Sequence, residues 1–223
     1  MNLRELTPPP AEPLTLAEAQ AQVSIGSEIT ATQASYLTAL IQVAREYAEH
    51  YTGRRFVKRT FEMSMDGWND KGDTQYLKAL SGAYTYGGQS ICIPYAPLVS
   101  VDYIKYVDMA GQQQTLDSSV YQVDTAAEPG KVKPAYLQIW PVVRATDFNS
   151  VRIGFTAGYP EVQGASPSDY AGNLPAVLKQ WMKIRIGGWF ENREPIIVGN
   201  LVTSIPRDFC DALLDPLKLW SEF

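Results

Sequence analysis

Between residues 32 and 65 the apolar residues change their repeat, and that change constrains the fold more than anything else in the chain. From about Thr32 to Thr52, Leu37, Leu40, Ile41, Ala44, Tyr47, Ala48 and Tyr51 recur at intervals of three and four. That spacing lines one face of an α-helix. Gly53 is placed to end the helix in a left-handed cap. The cations of "GRRFVKR" lie just past the C-terminus, where the helix dipole favours them. Then "TFEMSM" alternates, with Phe61, Met63 and Met65 on one side of a strand.

The strand signal persists to about Ala157. Short runs, "SICIP", "SVDYIKYVD", "VYQVD", "AYLQIWP" and "SVRIGFTAGY", are expected as strands. The clusters "SGAYTYGG", "MAGQQ", "AAEPGKVKP" and "ATDFNS" between them are expected as turns. Ahead of this region, Thr15 and Glu18 form a capping box for a helix from about Leu16 to Val23. After it, "NLPAVLKQWMKIRIGGWFENRE" reads as helix, with Asn173 or Leu174 as cap, Pro175 in the first turn and Pro195 as stop. Val177, Leu178, Trp181, Ile184, Arg185, Gly188 and Trp189 share its expected apolar side. Gly187 and Gly188 point to a kink or to close approach by another backbone. A final short helix starts at Pro206, with Phe209, Cys210, Leu213 and Leu214 inward.

The expected class is α+β: a helical framework with an inserted antiparallel β region. The expected division is an extended arm over 1–13, a helical domain from 14–56 and 173–217, a β domain over 57–160, a linker over 161–172 and a tail over 218–223. "TPPPAEP" favours a polyproline-type arm, which with the tail is a candidate to order on docking.

Composition narrows the function. With 45% hydrophobic and 19% charged residues, a chain of this length can bury a substantial core. A net charge of −5 disfavours wrapping DNA through its phosphates. Cys92 and Cys210 sit in apolar runs and read as buried free thiols. No apolar run is long enough to span a bilayer, and "MNLRELTPPPAEP" lacks the apolar segment of a signal peptide, so a soluble chain made in a reducing cytoplasm is expected.

Catalytic signals are weak. His50, the lone histidine, has no second ligand at metal spacing and reads as a surface or capping residue. Asp66, Asp70 and Asp73 lack the spacing of a calcium loop and read as a polar turn. Asp208, Asp211 and Asp215 recur at helical spacing and read as a solvated face. No nucleotide-binding or nucleophile-elbow motif occurs, and no cofactor or metal is expected. "GGWFENRE" raises the sharper question. Glu191 and Glu194 lie three apart on one helix side beside Arg193, whereas glycosidase carboxylates face each other across a cleft. The expected role of Trp189, Phe190, Glu191, Arg193 and Glu194 is an ion-pair or subunit-interface cluster, with an acid/base hydrolase as the remote alternative.

Four stretches, taken in order, resemble the small head–tail connector (adaptor) proteins of tailed bacteriophages. In "LIQVAREYAEHYTGRRF", Ala44, Arg45, Glu46, Tyr47, Thr52, Gly53 and Arg54 match the family pattern as they stand, as does Thr60 in the following strand. "ICIPYAPLVSVDYIKYVDMAGQQQTL", "VRIGFTAGYP" and "LPAVLKQWMKIRIGGWFENRE" resemble its later motifs. The leading "LTLAEAQAQVSI" resembles its first helix, and the resemblance covers nearly the whole chain, from about Leu14 to Leu217. Two departures stand out: Gly187 and Gly188 replace larger residues, and "NDKGDTQYLKALSGAYTYGGQ" is longer than usual.

The resemblance implies a non-enzymatic virion protein. Such adaptors form a ring, of 12 subunits in this family's habit, beneath the portal. The ring extends the DNA channel and meets a stopper or tail-completion protein. DNA would pass without specific binding, and no membrane is involved. Another neck or tail piece, such as a tail terminator or stopper, is the nearer alternative.

Overall fold

The computed structural model describes residues 1–23, 29–68, 90–144, 146–163, 172–192 and 210–219. The chain divides into two compact units: Met1–Pro8 with Arg59–Gly158, and Pro9–Lys58 with Tyr159–Phe223. The class is α+β, as the change of repeat dictates.

The first unit is antiparallel β. Among its described residues, a five-stranded sheet has the order β1-β2-β8-β4-β5, and a three-stranded sheet has the order β3-β7-β6. These strands are β1 (Asn2–Glu5), β2 (Arg59–Met65), β3 (Ile91–Cys92), β4 (Leu98–Val107), β5 (Gln113–Thr115), β6 (Tyr121–Asp124), β7 (Lys131–Pro134) and β8 (Val151–Ala157). Strand β2 alternates as its sequence requires, burying Phe61, Met63 and Met65. Strand β8 lies between β2 and β4 and is buried at every position but Arg152. Residues of both sheets, including Phe61, Met63, Val132, Ile153 and Phe155, share one core. Gly154 has a steric reason: a Cβ there would fall 2.3 Å from the Tyr103 ring. The Tyr103 hydroxyl donates to Glu62 at 2.7 Å, which fixes the ring over β8.

Three expectations for this region are corrected. The arm does not stay apart. Asn2–Glu5 pair antiparallel with β2, from Asn2 opposite Ser64 to Glu5 opposite Phe61. Glu5 also receives the buried Arg59 guanidinium at 3.1 Å. Open backbone donors at the sheet edge recruit the segment, and the prolines begin only after it ends. "AYLQIWP" is not a strand, and Tyr136, Leu137 and Ile139 are each more than four-fifths exposed. The strand lies earlier, as β7, inside the stretch "AAEPGKVKP" expected to turn. There Val132 supplies the inward side chain, and its partner strand β6 outweighs local turn chemistry.

The second unit is helical. Among its described residues are α1 (Leu16–Gln22), α2 (Ala31–Thr52) and α3 (Ala176–Glu191), and each packs against the other two. Both capping boxes are formed, Thr15 with Glu18 and Thr30 with Gln33. The core gathers Leu14, Leu37, Ile41, Ala44, Ala48, Phe56, Leu178, Trp181, Met182, Ile186 and Leu214.

Several expectations shift here too. Pro175 is the N-cap of α3, while the Asn173 amide donates to the carbonyls of Pro160 and Glu161. The buried stripe is Leu178, Trp181, Met182 and Ile186, and Val177 is 40% exposed. The helix runs through both glycines. Among the described residues, a Cβ on Gly187 would meet the Gln22 side chain at 3.7 Å, and one on Gly188 would meet nothing within 4 Å. The tail begins packed rather than free: Leu219 N–H donates to the Thr52 carbonyl at 2.8 Å. Cys210 is buried as expected, whereas Cys92 is half-buried.

Candidate functional site

The motif residues of α2 converge on a buried ionic lock. Arg45 is 2% exposed. Its Nε donates to Glu12 at 2.8 Å and its Nη1 to Glu49 at 3.1 Å, with Glu46 at 3.4 Å. Glu49 lies one turn further along α2, so helix geometry alone brings it to Arg45. Glu12 comes from the proline-rich segment, which the lock fastens to the helix. Burial works against the Arg45 charge, but the hydrogen bond it donates to Glu12 and the charges of Glu49, Glu12 and Glu46 outweigh it and raise its pKa. The other Glu49 oxygen accepts the Phe56 N–H at 3.0 Å, which turns the chain after the helix.

Thr52, Gly53 and Arg54 end that helix. Gly53 adopts φ 72°, and its N–H donates to the Glu49 carbonyl. The Thr52 hydroxyl donates to the Ala48 carbonyl at 2.7 Å and accepts the Arg54 N–H. Arg54 Nε donates to the Leu217 carbonyl. This part of the motif joins α2 to the C-terminal segment. Glu46 is exposed beside Gln42, which donates to it at 3.1 Å.

Tyr47 belongs to a second cluster, centred on a residue that the sequence reading assigned to solvent. Asp211 is 7% exposed. It accepts the Tyr47 hydroxyl at 3.0 Å, the Trp181 indole N–H at 3.1 Å and an Arg185 guanidinium N–H at 2.6 Å. Burial alone would raise the Asp211 pKa, but the hydrogen bonds from Arg185, Trp181 and Tyr47 hold it below the ordinary value. The Tyr47 ring stacks on Trp181 at 5.5 Å and on Tyr51 at 6.4 Å. Tyr51 donates to Asp215 at 2.8 Å, and this bond leads the causes that push its pKa up to about 12. Asp215 is exposed, as expected; Asp208 lies outside the described residues. A legible signal did exist: Trp181 and Arg185 sit one turn apart on α3 and present donors to the same point.

Of the predicted cluster at the end of α3, Trp189, Phe190 and Glu191 are among the described residues. Trp189 and Phe190 pack partly against the helical core. Tyr36 donates to the Trp189 carbonyl at 3.2 Å and lies 5.8 Å from the Phe190 ring. Glu191 is exposed, and Arg193 and Glu194 lie outside the described residues. His50 is exposed on the last turn of α2. Asp66 accepts the Asn149 N–H at 2.7 Å; Asp70 and Asp73 lie outside the described residues.

Among the described residues, no group of histidine, cysteine, aspartate and glutamate is arranged to hold a metal ion, and no helix is long and apolar enough to cross a membrane. The described contacts fasten α2 and α3 to segments distant in sequence.

No protein-family model matches the chain, and no curated protein matches it. Solved structures do. A chain in the neck of an empty gene transfer agent (GTA) particle, computed with C6 symmetry, superposes with a TM-score of 0.69 at 21% identity, covering 100% of this chain and 98% of that one. A chain in the virion of the native particle gives 0.68 at 20% identity, with the same coverage. A chain in the neck of the native particle, computed with C12 symmetry, gives 0.61 at 22%, again with that coverage. The protein has the fold of these chains along its whole length.

Proposed function

We propose that the protein is a structural subunit of the neck of a tailed phage or phage-like particle, a head–tail adaptor that forms a ring beneath the portal. The likeness to chains of particle necks carries this reading, because it spans all of this chain and 98% of theirs. One of those necks was computed with C12 symmetry and another with C6, and a ring of 12 copies is compatible with both. The ring extends the DNA channel and offers its far side to a stopper or tail-completion protein. Trp189, Phe190, Glu191, Arg193 and Glu194 then form an ion-pair or contact cluster at the end of α3.

The charge suits a passage. Twelve copies at −5 each carry about −60, and such a field repels phosphate, so DNA slides without being held. The buried locks suit it as well: Arg45 and Asp211 each hold several partners, which stiffens the subunit.

The test is to mix the protein with its cognate portal and image the product by electron microscopy. Rings stacked on portals are expected. Tubes, or caps on free tails, would instead assign the chain to another neck or tail position. A chain that stays monomeric with portal present would overturn the adaptor reading.

A further inference from the structure

The β unit holds a firmly built segment that turns large apolar side chains outward. Tyr136 is 84% exposed, Leu137 85%, Ile139 82%, Val142 72% and Phe148 88%. Their backbone is tied down at several points. Ala135 N–H donates to the Val120 carbonyl at 2.9 Å, and Arg144 N–H to the Val107 carbonyl at 3.1 Å. The Trp68 indole donates to the Pro141 carbonyl at 2.7 Å. Trp140, at the centre, is turned inward and stacks on Trp68 at 4.5 Å. Leu137 holds φ 59°, a conformation that a leucine adopts only where its surroundings impose it.

Tyr136, Leu137, Ile139 and Val142 lie within one run of chain and together expose on the order of 450 Å² of side-chain surface, given the usual size of such side chains. A stable protein interface buries about 800 Å² on each partner. The segment therefore supplies about half of one side of such an interface.

We infer that this segment is a lateral contact by which one copy of the chain holds a second copy in the ring. This contact rests on the ring reading above and adds the surface that holds the ring together. Two considerations favour a second copy over other occupants. Residues 134–143 carry no charge, so the copies of an acidic chain meet there without opposing like charges. The same lack of cations gives DNA phosphate nothing to bind. A cyclic ring also obliges each copy to present one face to a different face of its neighbour, and a protruding apolar segment suits one half of such a heterologous pair.

The experiment uses the full chain in two forms. In one, the photoreactive residue benzoylphenylalanine replaces Tyr136 or Ile139. In the other, Leu137→Asp and Ile139→Asp are combined. Rings are followed by mass photometry and electron microscopy, alone and with portal, and cross-links are located by mass spectrometry. The expected result is cross-linking to a second copy within rings, with the double variant needing at least about 100-fold more protein to assemble, in keeping with the loss of a central apolar anchor. Thermal melting of the double variant should stay within a few degrees of the parent, because both side chains are exposed. Normal rings from the double variant, without cross-links between copies, would overturn this contact and leave the ring reading intact. Cross-links only to portal or to a tail component would overturn the choice of a second copy. A parent chain that forms no ring under any condition would overturn both readings.

Discussion

At the scale of single residues, two buried charges dominate. Arg45, itself buried, pairs with the buried Glu49 and with the partly exposed Glu12. Arg45→Met should cost roughly 3–5 kcal/mol in denaturant unfolding, because it leaves carboxylates without their partner. In the Glu49→Gln background the same change should cost less, and a double-mutant cycle measures the coupling. Asp211 predicts a pH dependence. Its folded pKa is lower than its unfolded value, so its contribution is present above the unfolded carboxylate pKa of about 4 and is lost as pH falls through the folded value. Stability should therefore drop below about pH 4, and Asp211→Asn should flatten that part of the profile while lowering stability at neutral pH. A variant whose acid limb matches the parent would remove Asp211 from that account. The reading of Asp211 as solvated followed from its spacing with Asp208 and Asp215. Its burial depends on Tyr47, Trp181 and Arg185, which lie 26 or more positions away in sequence.

At the scale of elements, local chemistry was the best guide. Thr15 and Glu18, the apolar stripe of α2 and the left-handed cap at Gly53 all act over a few residues, and all three are formed. Gly53→Ala should lower stability by about 1 kcal/mol, since the added Cβ strains a positive φ. Gly188→Ala should do the opposite. Its site is helical and open among the described residues, so alanine should add about 0.5–1 kcal/mol, raising the melting temperature by about 1–4 °C for a chain of this size. A lower melting temperature would mean that the Gly188 backbone is needed by a contact outside the subunit. Strand order was not readable in this way. Strand β1 and strand β7 depend on partners, β2 for the one and β6 with β3 for the other, and pairing across sequence leaves little mark on either segment alone.

At the scale of the molecule, assembly is the property to measure. Assembled rings should not retain duplex DNA at low salt, because net charge and the absence of a dense cationic stripe both oppose it. Strong binding that weakens steeply with salt would contradict the picture of a repelling channel. By itself the sequence determined the class, α+β with helices on both flanks of a β region, because hydrophobic period is a local signal that survives without partners. It also determined the main caps and carried the resemblance to head–tail adaptors. Only the tertiary structure decided which strands neighbour which, that Asn2–Glu5 complete a sheet, that Asp211 is a buried anchor, and that Tyr136 and Leu137 face outward. The physical reason is the same in each case. Burial is a property of what surrounds a residue, and its surroundings here come from parts of the chain that no local window contains.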